Sequence, residues 1–182
     1  MRLLFIRFSL IVGLISIGFS AIAGEYSKDL TTAKLKYIDN TKQMINHFNT
    51  YYNPEDKVAI TNLELEFTEI LRLINLAETH PKNINNAKLL AKIYILKGEV
   101  FTDLAGVIKT MIFTNISMNQ PVATMKQHVA GFTLHQAVEA AQSAISNAYQ
   151  YNDSDSKRYN IDNIQIKLNS IVNEFNQVFA PQ

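Results

Sequence analysis

From about residue 28 onward, apolar side chains return every three or four positions and polar ones fill the gaps. That spacing gathers the apolar residues on one face of an α-helix. No stretch alternates convincingly with the two-residue period of a strand. The pattern predicts five helices.

The first is expected from about Lys28 to Tyr52, with Leu30, Ala33, Tyr37, Met44, Ile45, Phe48 and Tyr52 as its apolar stripe. It stops before Asn53-Pro54, because a residue preceding proline avoids the helical well. The second is expected to start there, with Asn53 as cap, Pro54 in the first helical position and Glu55 and Asp56 at the positive end of the dipole. Ile60, Leu63, Phe67, Ile70, Leu71, Ile74 and Ala77 face its core, and His80-Pro81 ends it. The third, from about Asn85 to Asn115, is the most apolar and carries apolar residues on more than one side, which predicts the central helix.

The fourth is expected from near Asn119 to Tyr151, with Pro121 in its first turn. Gly131 marks a break or kink, and Thr133-Leu134-His135-Gln136 fits a capping box. Ala137, Ala140, Ala141, Ala144 and Ala148 give it a small-residue face suited to close helix approach. After a polar connection, 152–157, the fifth runs to about Phe179 with Ile161, Ile164, Leu168, Ile171, Val172, Phe175 and Val178 inward.

Short links between long helices favour antiparallel neighbours, so the predicted fold is all-α, an up-and-down bundle. An alternative comes from one local likeness. Leu90, Ala91, Tyr94 and Gly98 resemble the first helix of a tetratricopeptide repeat, and Ala137, Ala141 and Ala144 resemble its second, in compatible phase one period later. A short helical solenoid is the fold that likeness implies.

The N-terminus changes the picture of where the chain works. Arg2 and Arg7 precede an uncharged, mostly apolar run from Phe8 to Phe19, and Ala21-Ile22-Ala23 supplies the small-x-small pattern of a cleavage site. This predicts a signal peptide over 1–23 and a single helical domain over 24–182, placed in a periplasm or secreted. A spanning helix needs about 20 predominantly apolar residues, and Gly13, Gly18 and Ser20 dilute this shorter run. No stable membrane insertion is expected after cleavage.

Charge and cysteine then narrow the chemistry. Without Arg2 and Arg7 the 17 basic residues fall to 15 against 16 acidic ones, a net charge of about −1, so bulk attraction to nucleic acid is not expected. There is no cysteine. That excludes thiol catalysis, disulfides and cysteine-ligated metals, and the fold must be held by packing alone.

Candidate sites are few. On a straight fourth helix His128, His135 and Glu139 share one face, and His135 and Glu139 at i, i+4 suit a divalent metal. A haem held by methionine and histidine would draw on Met44, Met111, Met118 or Met125 with His47 or His128. The commoner reading makes the methionines core filler and the histidine face a solvated one, so no cofactor is expected. Glu66 and Glu69 fall on the polar side of the second helix and lack the Glu-x-x-His of di-iron bundles. Glu99 and Asp103, at i, i+4, are expected to line an exposed stripe with Lys88 and Lys92, because acids are rarely buried. No Walker, Rossmann, G-x-S-x-G or H-E-x-x-H pattern is present.

Tyrosines gather near the predicted helix ends: Tyr51 and Tyr52 at one pole, Tyr149, Tyr151 and Tyr159 at the other. Tyrosine offers contact area and a hydroxyl together, which suits interfaces. The expectation is an exported, non-enzymatic helical protein that binds another protein through Tyr51, Tyr52, Tyr149 and Tyr151. Two alternatives are a metal or haem carrier and a secreted factor acting on host cells.

Overall fold

The computed structural model describes residues 28–120, 127–152 and 154–179. The expected signal peptide, Pro121, Met125 and the last three residues lie outside them. Within the described residues the chain is an all-α bundle of five helices with one tiny two-stranded hairpin. The helices are α1 (28–51), α2 (Lys57–Thr79), α3 (Ala87–Ser117), α4 (Leu134–Gln150) and α5 (Asp155–Phe179); β1 (His128–Val129) and β2 (Phe132–Thr133) form the hairpin.

α3 is the axis, and α1, α2, α4 and α5 all pack against it. Its 31 residues span about 46 Å. Contacts along it fix the directions. Tyr37 meets Asp103 and Asn49 meets Thr110, so α1 runs parallel to α3. α2 runs back, with Glu78 near the start of α3 at Lys97 and Glu66 beside Lys36 of α1. Gly98 faces Ile145 while Tyr94 stacks on Tyr151, so α4 is antiparallel; Asp103–Lys167 and Lys109–Glu174 make α5 parallel again. The order is up, down, up, down, up. A solenoid repeat touches only its sequence neighbours, whereas α3 touches every other helix, which is bundle packing.

The core is one cluster, with Phe67, Ile70, Ile74, Ile93, Val100, Leu104, Ile108, Met111, Ile161 and Leu168 fully enclosed. Burying side chains of this size contributes about 1.5–3 kcal/mol each. α3 approaches α4 closely because Gly98 lies against Ala144 and Ile145, and Ala137, Ala141 and Ala148 are buried on the same face. The expected small-residue face is therefore the contact face.

Two expected helix starts are corrected. α2 begins at Lys57, not at Pro54, and its cap is Asp56, whose carboxylate accepts from the Ala59 N–H at 2.9 Å. Asn53 instead closes the preceding turn, accepting from the Glu55 N–H at 3.0 Å. The fourth helix begins at Leu134, not near Asn119. Asn119 takes a positive φ that ends α3, and the turn residues Ala130 and Gly131 have φ of 50° and 82°. Two successive positive φ values suit a two-residue hairpin and cannot be helical. The capping box is formed as expected: the Gln136 N–H donates to Thr133 Oγ1, and the Thr133 N–H donates to the Gln136 side chain.

Candidate functional site

The sequence pattern gave no sign of a break in α1, yet the helix widens into a π-turn over Tyr37–Thr41, with the Lys42 N–H donating to the Tyr37 carbonyl. π-turns inside helices gather at functional or strained positions. Here the turn faces a polar cluster inside the bundle. The Tyr37 hydroxyl donates to one Asp103 oxygen and Lys167 of α5 donates to the other. Lys42 pairs with Glu99, and its ammonium lies 5.0 Å from the centre of the Tyr37 ring. Tyr37 is fully enclosed and Asp103 is 5% exposed.

The exposed stripe expected for Glu99 and Asp103 is thus overturned. Lys88 and Lys92 are exposed, but Asp103 is buried and Glu99 half-buried. A buried carboxylate is tolerable when both oxygens are paired, and the partners come from helices far away in sequence. Burial, and then repulsion from Asp103 and Glu99, hold the Tyr37 phenol far above its ordinary range. A second buried acid atom, Glu66 Oε2, lies 3.3 Å from Lys36 Nζ.

The two tyrosine poles lie at opposite ends of α3. Tyr52 approaches Asn115 and Tyr151 stacks on Tyr94, about 30 Å apart along that helix. They differ in character. At the Tyr151 pole Tyr94, Tyr149 and Tyr151 are engaged within the chain, while Tyr159 is 67% exposed. The Tyr94 and Tyr151 rings stack at 5.8 Å, the Tyr94 phenol lies near Glu78, which pairs with Lys97, and the Tyr149 hydroxyl donates to Asp162 at 2.5 Å. Burial, then the Glu78 charge, push the Tyr94 phenol up to about 12, and the bond to Asp162 raises that of Tyr149.

The other pole is concave. The end of α1 and the start of α2 enclose a groove of about 440 Å³. Phe48 and Leu63 are its buried floor, Met44 is half-buried, and His47, Tyr51 and Tyr52 form a wall. The His47 and Tyr51 rings meet at a tilt, 5.1 Å apart, and those of Phe48 and Tyr52 likewise at 4.5 Å, each pair four residues apart at the end of α1. Tyr51 is 70% exposed; Tyr52 is half-buried, and burial raises its phenol. Asn53, the capping residue Asp56 and Asn62 of α2 complete the polar rim with Gln43 of α1.

The expected histidine face is not built as one helix face. His128 stands on β1, before the turn, so the straight fourth helix on which the triad depended does not exist. His135 and Glu139 do meet on α4, at 3.2 Å, with their side chains 82% and 61% exposed. Among the described residues no three histidine or carboxylate side chains converge on a point where a metal would sit. Of the methionines weighed for haem, Met111 is core and Met44 lines the groove beside His47.

No family model, curated protein or solved structure matches this chain. No helix among the described residues is long and apolar enough to cross a membrane.

Proposed function

We propose that this chain is an exported, non-enzymatic binding protein, working in a periplasm or outside the cell, that captures another protein at the Tyr51–Tyr52 pole. The observation that carries the proposal is the contrast between the poles: a concave groove with an apolar floor, an aromatic wall and a polar rim at one, and at the other a Tyr94–Tyr151 stack, a Tyr149 hydroxyl held by Asp162 and a single exposed ring, Tyr159. An apolar centre with a polar rim is the usual anatomy of a protein interface, and tyrosine is enriched among the residues that dominate binding energy. Asp103 and Glu99 are engaged by Tyr37, Lys167 and Lys42, which fits a structural role for these acids better than proton transfer.

A photo-crosslinking residue placed at Tyr51, in intact producing cells, tests this. A discrete protein adduct is expected there, and none from the same group at Ile166, which is 66% exposed on α5. No adduct at Tyr51, or the same adduct at both positions, overturns the proposal.

A further inference from the structure

We infer that the groove between α1 and α2 seats an extended, non-acidic peptide segment of the partner, with one apolar side chain on the floor and its backbone held by Gln43 and Asn62. This rests on the partner-binding reading of the same pole.

The floor sets the first requirement. Phe48 and Leu63 close it from below, and half-buried Met44 and Ala59 present apolar surface, with only a methyl group on the α2 side at Ala59. A polyol such as a sugar would place hydroxyls against that floor with no partner, which is costly. An aliphatic or aromatic side chain would not. The groove has room for one such side chain and its flanking backbone, whereas a docked helix presents several anchors over successive turns.

The rim sets the second. Gln43 and Asn62 stand on the two facing helices, and among the described residues no hydrogen bond engages either carboxamide. A carboxamide offers an acceptor oxygen and a donor nitrogen. That is the complement of the N–H and C=O of an extended peptide, which has no internal partner for either.

Charge sets the third. The lining contains Asp56 and no lysine or arginine. The start of α2 would otherwise draw an anion, but the Asp56 carboxylate already caps it. An acidic segment is therefore disfavoured.

The test is selection of random heptapeptides displayed on phage against the full chain, followed by fluorescence anisotropy with synthetic copies. Enriched peptides should share a single apolar anchor and be depleted in Asp and Glu. The double variant Q43A/N62A, both sites exposed, should weaken binding roughly tenfold, the loss of two hydrogen bonds. Ala59→Trp should abolish it by filling the groove. Peptides that bind Q43A/N62A or Ala59→Trp as tightly as the parent overturn the inference, as does a selection that enriches no peptide or only acidic ones, whether or not glycans on an array bind the parent. A protein adduct at Tyr51 together with either of those results leaves the partner reading standing. Peptides that bind as expected with no adduct at Tyr51 remove the partner reading instead.

Discussion

The Tyr37 hydroxyl donates to the Asp103 carboxylate across 66 positions of sequence, inside the contact between α1 and α3 and at the first residue of the π-turn. One bond therefore ties the irregular turn of α1 to the central helix, and Lys167 extends the tie to α5.

Tyr37→Phe removes the donor and leaves a buried carboxylate with Lys167 as its remaining partner. Asp103→Ala removes the acceptor and leaves a buried hydroxyl. Each is expected to cost about 1–3 kcal/mol in urea unfolding, the penalty for an unsatisfied buried polar group. In the double variant neither group is left stranded, so its loss should be smaller than the sum of the two. A strictly additive double variant would show that the bond is not made in solution.

The same burial predicts an alkaline limit. The unfolded phenol loses its proton near pH 10, while the folded one holds it to far higher pH. Above about pH 10 the unfolded chain thus binds fewer protons than the folded one, and stability falls as pH rises. Tyr94, pushed up to about 12, adds to the slope between 10 and 12. Unfolding midpoints measured upward from pH 9 should fall, and Tyr37→Phe should make that fall shallower. An unchanged slope in Tyr37→Phe would contradict the enclosed phenol.

How much of this was legible in the sequence follows the range of the forces involved. Apolar spacing reports only which face of a helix leaves water, and it sufficed for Phe67, Ile70 and Ile74 on α2 and for the nearly all-round burial of α3. The capping box at Thr133 was legible because its partners are three residues apart. The π-turn and buried Asp103 were not, since both depend on Tyr37, Asp103 and Lys167 meeting from three separate helices. The start of α4 is hidden from the pattern for a different reason. Gly131 was visible as a break, but the positive φ of Ala130, which completes the hairpin, has no signal in an alanine. Of the candidate site, the four tyrosines were visible, and the rim residues Gln43 and Asn62 were not, because exposed amides on helices are ordinary until two helices face them into one groove.

The two helical glycines of α3 should respond differently to enlargement. A Cβ on Gly98 would lie 3.4 Å from Ile145 Cγ1 and 3.8 Å from Ala144 Cβ, while one on Gly106 would meet only Ile171 Cδ1, at 3.5 Å. Gly106→Ala is expected to stabilise by about 0.5–1 kcal/mol, from helix propensity. Gly98→Leu should destabilise by about 1–3 kcal/mol, because it pushes α4 off α3. Urea midpoints distinguish the two, and equal responses would mean that the α3–α4 approach is looser than described.

The tyrosines at the poles separate into structural and available ones, and truncation should expose the division. Tyr52 packs on Phe48 and is half-buried, and Tyr151 stacks on Tyr94. Replacing either with alanine removes half-buried ring surface and is expected to cost about 1–3 kcal/mol. Tyr149 sits at the surface with its hydroxyl on Asp162, so its loss should cost about 1 kcal/mol or less. Tyr51 meets the exposed His47 ring at a tilt and is mostly in water, so Tyr51→Ala should leave the midpoint within about 0.5 kcal/mol. It is therefore the position at which a loss of partner capture can be assigned to the interface and not to the fold. Capture that survives Tyr51→Ala but fails in Tyr151→Ala, at temperatures where both variants are folded, would move the binding surface to the opposite end of α3.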